Sequence, residues 1–153
     1  MSPFTGTYPG KIDAKGRVSI PAAFRTILRA GAAEGAVRVV ARPSHKFPCV
    51  EFWPTEIFDR LNASVAQLPI FGDDNDDMAI ALFGDACTVE SDREGRILLP
   101  DWAGDHAGLS DTVTFIGQGQ SFGLWAPCAA EQRRRDARAR VLASGLSLPM
   151  VLK

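Results

Sequence analysis

The chain has 153 residues, 46% hydrophobic and 23% charged, with a formal charge of −1 at pH 7, which suits one ordinary soluble domain or two small ones. No stretch approaches the roughly 18 to 20 unbroken apolar residues of a membrane span, and Met1-Ser-Pro-Phe-Thr-Gly has neither the basic nor the apolar region of a secretory signal. A cytosolic protein is expected, and near-zero charge argues against one that coats nucleic acid indiscriminately.

Thr5 to Ile12 has the β-branched and aromatic content of a strand, which Ala14-Lys15-Gly16 breaks with a glycine where a turn needs φ > 0. Val18-Ser19-Ile20 resumes the alternation. Pro21 fits the first position of a helix, whose apolar stripe of Phe24, Ile27 and Leu28 ends at Gly31. Val37 to Val40 and Val50 to Trp53 follow as strands. Thr55 is a candidate cap for a helix running to about Leu68, with Ile57, Phe58, Leu61 and Val65 on one side. Pro69 to Ala86 reads as a connector: an acidic loop at Asp73, Asp74, Asp76 and Asp77, then a short helix through Met78, Ile80, Ala81, Leu82 and Phe83.

Then the chain repeats itself. Asp13-Ala-Lys-Gly-Arg17-Val-Ser-Ile-Pro21 returns seventy-nine residues later as Asp92-Arg-Glu-Gly-Arg96-Ile-Leu-Leu-Pro100. Thr88-Val89-Glu90 leads into the second turn, Ile97-Leu98-Leu99 returns from it, and Pro100 opens a helix weakened by Gly104, which costs about 1 kcal/mol relative to Ala. Val113 to Ile116 and Phe122 to Trp125 match the later strands of the first half, and Pro127 to about Ala143 is the closing helix. Four segments result: domains over 7–54 and 86–129, the helix and acidic connector over 55–85, and the C-terminal helix and tail over 130–153. A half this small buries little surface alone, so the two should share one core.

Between Lys11 and Arg25 the chain carries Lys11, Lys15, Arg17 and Arg25 against Asp13 alone, a basic patch of the kind a phosphate backbone feels. Arg17 has the planar fork for a bidentate contact with guanine or phosphate, while Lys15 is a mobile point charge suited to the backbone. Alternation would put both on one side if strand geometry ran through Gly16. The matching positions of the second half are Glu94 and Arg96, with Arg93 just before; Glu94 should repel phosphate, so the first motif is expected to carry more of the contact. A second reading stands beside this one: Asp13 with Arg17, and Asp92 with Arg96, as ion pairs that lock a turn. An aspartate that orients an arginine before DNA arrives would serve both.

The run Arg133, Arg134, Arg135, Arg138 and Arg140 is read first as a solvated helix face, with phosphate contact or intersubunit salt bridges as alternatives. Phe52, Trp53, Phe122 and Trp125 fit a shared core better than a stacking platform, and Phe4, Tyr8 and Phe71 are candidates for contacts between subunits. Cys49, Cys87 and Cys128 lack the spacing of a zinc site or redox pair, His45 and His106 stand alone, and no nucleophile is matched to a base. Three buried, unpaired cysteines, no metal, no cofactor and no catalysis are expected.

The doubled Asp-x-x-Gly-Arg with an apolar triplet and Pro, together with Gly16-Arg-Val-Ser-Ile-Pro-Ala-Ala-Phe-Arg25, Phe52-Trp-Pro54 and His106-Ala-Gly-Leu109, resembles the MraZ family, whose members carry two SpoVT/AbrB-type domains in tandem. The likeness covers nearly the whole chain. It implies an α+β fold of two pseudo-symmetric AbrB-like, swapped-hairpin-type halves sharing one β core with flanking helices. It also implies a nucleoid-associated transcriptional regulator that binds repeated boxes of double-stranded DNA upstream of the division and cell-wall gene cluster, working as a ring-shaped homo-oligomer, an octamer or larger. On this reading Lys15, Arg17, Arg93 and Arg96 meet DNA, and Asp13, Gly16, Asp92 and Gly95 position them. The rival is an AbrB-like scaffold that binds a protein partner through its turns, kept open by the low net charge and by Glu94.

Overall fold

The two motif segments fold alike because they ask for the same thing: a short strand, a glycine turn and a return strand ended by proline. The computed structural model describes residues 2–29, 35–69 and 72–149, and in chain order its elements are β1 (Thr7–Lys11), β2 (Arg17–Ser19), α1 (Ala22–Arg29), β3 (Arg38–Pro43), β4 (Val50–Trp53), α2 (Thr55–Val65), α3 (Asp73–Phe83), β5 (Cys87–Glu90), β6 (Arg96–Leu98), α4 (Ala103–Ala107), β7 (Thr112–Gly117), β8 (Phe122–Trp125) and α5 (Pro127–Ser144). The fold class is α+β, with helices packed on a mostly antiparallel sheet.

Six strands form that sheet in the order β1-β7-β8-β4-β3-β5, every pair antiparallel. Exchanging the labels of the two halves reads the same order backwards, so a pseudo-twofold axis passes between β8 and β4. The halves are interlaced: the first strand of each lies beside the third strand of the other, β1 against β7 and β5 against β3. The return strands leave the sheet and pair with each other as a separate β2–β6 ribbon, with Arg17 opposite Leu98, Val18 opposite Ile97 and Ser19 opposite Arg96.

Alternation decides what each strand buries. Val18 and Ile97 turn inward from the ribbon onto Val39, Ala41, Val50, Phe52, Val113, Phe115, Phe122 and Leu124 of the sheet. Phe122 sits at the centre, its ring 4.7 Å from Phe24, 5.1 Å from Phe4, 5.2 Å from Phe52 and 6.1 Å from Phe115. Each fully buried phenylalanine contributes about 1.5–3 kcal/mol, and because the rings come from both halves, neither half can keep this core alone. The other sheet face lies under α2, α3 and α5.

Several expectations are corrected. The acidic run is no loop: Asp73, Asp74 and Asp76 form the first turn of α3, where negative charge is favoured by the helix dipole. Thr55 is the first residue of α2, with Pro54 in the cap position and no side-chain cap. Phe4 is a core residue, not a surface one, drawn in by Phe4 N–H to Gly119 O at 2.8 Å and Gly119 N–H to Phe4 O at 3.0 Å. Tyr8 is half-buried edge-on against Phe24, while Phe71 and the expected helix end at Gly31 lie outside the described residues. Of the cysteines only Cys49 is buried, its thiol pushed up to about 12 chiefly by desolvation; Cys87 is half-buried and Cys128 exposed near the start of α5. No described helix is long and apolar enough to cross a membrane.

A candidate nucleic-acid interface

Each Asp-x-x-Gly-Arg segment writes most of its own hydrogen bonds. Asp13 Oδ1 accepts from the backbone N–H of Lys15 and of Arg17, both at 2.9 Å, and Oδ2 accepts from Arg17 Nε at 2.9 Å. Asp92 does the same for Glu94 N–H (2.9 Å), Arg96 N–H (3.0 Å) and Arg96 Nε (2.7 Å). These bonds stabilise the ionised form, so both carboxyls are held below their ordinary value, the backbone N–H of Arg17 or Arg96 being the leading cause. Gly16 at φ +79° and Gly95 at φ +85° complete the turns in the left-handed region that glycine enters at no steric cost. Gly16 thereby leaves strand geometry, so the alternation that would align Lys15 with Arg17 does not run through it.

The ribbon then brings the motifs together. Ile20 N–H donates to Gly95 O at 2.9 Å and Leu99 N–H donates to Gly16 O at 3.1 Å, so each turn caps the return strand of the other half. Antiparallel pairing sets the turns at opposite ends. Arg17, Ser19, Arg96 and Leu98 form the outer face, with the two arginines on a diagonal of about 7–8 Å between backbones. Lys15 and Arg93 are exposed at opposite ends, and neither joins an ion pair among the described residues.

The two ends differ. Arg17 gives only Nε to a carboxylate, leaving both terminal nitrogens without a partner among the described residues, whereas Arg96 also places Nη2 3.1 Å from Glu94 Oε2. A bidentate grip on guanine or phosphate uses a pair of guanidinium nitrogens, so Arg17 is the better equipped. Arg25 braces the second turn by donating from Nη1 to Glu94 O at 3.1 Å. The repeat puts Gly104 at the matching position, with open space around it.

Leu98, 62% exposed beside Arg17, and the bracing role of Arg25 are not apparent from motif spacing. Aligning the repeat residue by residue exposes both, as Ser19 against Leu98 and Arg25 against Gly104. The arginines of α5 are more engaged than a solvated face implies: Arg134 and Arg135 each lie 3.1 Å from Glu131, and Arg133 rests over the Phe47 ring at 4.1 Å. Among the described residues no three His, Cys, Asp or Glu gather as metal ligands.

A family model described as "MraZ protein, putative antitoxin-like" matches residues 3–79 and 82–138. Relatives of three organisms illustrate the similarity, each carrying the name Transcriptional regulator MraZ. Those of Gluconacetobacter diazotrophicus and Gluconobacter oxydans are 55% and 46% identical over 140 residues, 92% of this chain and 89% and 85% of theirs. That of Xanthobacter autotrophicus is 36% identical over 141 residues, 92% of this chain and 88% of its own.

Proposed function

The chain belongs to the MraZ family, and from that premise we propose a transcriptional regulator that grips double-stranded DNA with the outer face of the β2–β6 ribbon. The observation that carries this reading is that face: two arginines from the two halves, each oriented by an aspartate before any ligand arrives. A side chain held in its binding geometry loses less freedom on association. A two-stranded ribbon is also narrow enough for the major groove. Arg17 is the principal contact, Lys15 and Arg93 meet flanking phosphates, and Arg96 contributes less because Glu94 occupies one of its nitrogens.

The finer reading follows the family. The two interlaced halves take the parts of two AbrB-type, swapped-hairpin subunits, which the exchange of first strands supports. One ribbon offers few phosphate contacts, so useful affinity comes from a ring of eight or more copies engaging repeated boxes upstream of the division and cell-wall gene cluster. Linked sites raise avidity only where their spacing fits, and boxes about 10 bp apart present the same DNA face to neighbouring subunits. The protein works without a cofactor or catalysis, in the cytoplasm on the nucleoid.

Fluorescence anisotropy of the purified protein on its own upstream DNA and on scrambled DNA, across a salt series, tests this. Preference for the upstream DNA with log K falling steeply against log salt supports it. Equal binding of both DNAs, or none at any salt, overturns it in favour of a protein-binding scaffold.

A further inference from the structure

Beneath α2, α3 and α5, on the sheet face opposite the ribbon, lies a cavity of about 690 Å³, within the range of small-molecule sites. At its floor Arg42 is 2% exposed. Its Nη2 donates to Glu51 Oε1 at 2.8 Å and lies 3.2 Å from His45 Nδ1, and its Nη1 donates to Pro43 O at 3.3 Å, yet its buried Nε has no partner among the described residues. Trp125, also 2% exposed, holds a second orphan donor in Nε1. A buried donor left unpaired keeps the full cost of its lost hydration.

Gly123 leaves open space beside the Trp125 donor. A Cβ built on this residue would lie 2.8 Å from Trp125 Nε1 and 3.0 Å from Gln118 Nε2. Two N–H groups thus converge over a strand position that carries no side chain, and Gln118 and Trp125 both line the cavity. Charge around it is mainly positive. Glu51 offsets Arg42, and Glu131 offsets Arg134, but Lys46 and Arg133 join no ion pair among the described residues. Asp74 and Asp77 face an adjoining recess that shares His45 and Met78. The walls are flat and apolar: Phe47 and Trp125, with ring centroids 6.0 Å apart, and Trp53.

We infer that this cavity binds a small organic anion, a carboxylate, phosphate or sulfonate carried on a flat apolar body. The orphan donors and Arg133 receive the charged group while the aromatic walls take the body. The inference does not rest on DNA binding, and its test uses the protein alone.

The test titrates the full-length protein with 8-anilino-1-naphthalenesulfonate and with N-phenyl-1-naphthylamine, which has the same rings and no charge. Tryptophan energy transfer reports occupancy, since Trp53 and Trp125 line the cavity. Saturable binding of one sulfonate per chain is expected, at least tenfold tighter than the neutral amine. The double variant Lys46→Gln/Arg133→Gln should weaken the sulfonate tenfold or more and leave the neutral amine unchanged. Trp125→Phe keeps an aromatic wall and deletes one orphan donor, and should weaken the sulfonate severalfold in a protein that still melts cooperatively. Equal binding of the two probes, no saturable binding, or indifference of the sulfonate to both variants would overturn the inference.

Discussion

Arg25 Nη1 donates a 3.1 Å hydrogen bond to the backbone carbonyl of Glu94, so a helix of the first half braces the turn of the second. The Arg25 side chain lies against Gly95, where a Cβ would collide with Arg25 Cδ; at Gly16 the nearest atom is Leu98 Cδ1 at 3.7 Å. Gly16→Ala should cost about 1–2 kcal/mol for its left-handed backbone. Gly95→Ala should cost the same plus a further ~0.5–1.5 kcal/mol, because Arg25 must swing aside and lose its bond to Glu94 O, and Arg25→Ala should abolish that difference. Urea denaturation of the two glycine variants, each in wild-type and in Arg25→Ala background, reads this; equal costs at the two glycines in wild-type background would contradict it.

Glu94 restrains Arg96. Glu94→Gln removes a negative charge 3.1 Å from the Arg96 guanidinium and should raise affinity for DNA. The salt slope should steepen by up to about one counterion as Arg96 becomes free to meet a phosphate. Unchanged affinity and slope would show that the second motif stands off the duplex.

Leu98 is a large apolar side chain directly opposite Arg17 on the outer face. Water gains nothing from it there, but a thymine methyl does. Leu98→Ser, which copies Ser19 of the first half, should leave non-specific DNA affinity unaltered. It should lower discrimination at one A·T position of the box by about 1–3 kcal/mol. Binding to a panel of single-base box variants measures this, and a uniform loss across the panel would count against a base contact.

Asp13 and Asp92 carry carboxyls depressed below 3.8, chiefly by the backbone N–H groups of Arg17 and Arg96. A carboxyl with a lowered folded value stabilises the fold above its unfolded value and stops doing so as pH falls through the folded one. The turns should therefore hold unchanged through neutral pH and loosen only in acid below 3.8. Carbon-detected NMR titration should place both midpoints under that value; a midpoint at or above it would remove the aspartates from the turn.

Much of the turn geometry is legible in the chain because Asp-x-x-Gly-Arg closes most of its bonds within four residues. Strand order is less so: β1 would satisfy its alternation against any antiparallel partner, and only the packed core selects β7. Acidic composition reads as a loop at Asp73 to Asp77, where charge favours a helix start instead. Phe4, left over from the strand and helix patterns, reads as a surface residue, and the bonds to Gly119 draw it inward. Arg42, Gly123 and Trp125 have no motif in common. Only the fold makes neighbours of them.

The measurement that bears most directly on the ribbon reading is anisotropy of wild type, Arg17→Ala and Arg96→Ala on upstream DNA, with the melting temperature of each protein alongside. Arg17 is half-exposed and bonded only through Nε and its backbone, so its loss should leave the fold intact. It should reduce upstream affinity by about 1–3 kcal/mol, and Arg96→Ala should cost less. Full affinity in a folded Arg17→Ala protein would contradict the outer ribbon face as the DNA contact.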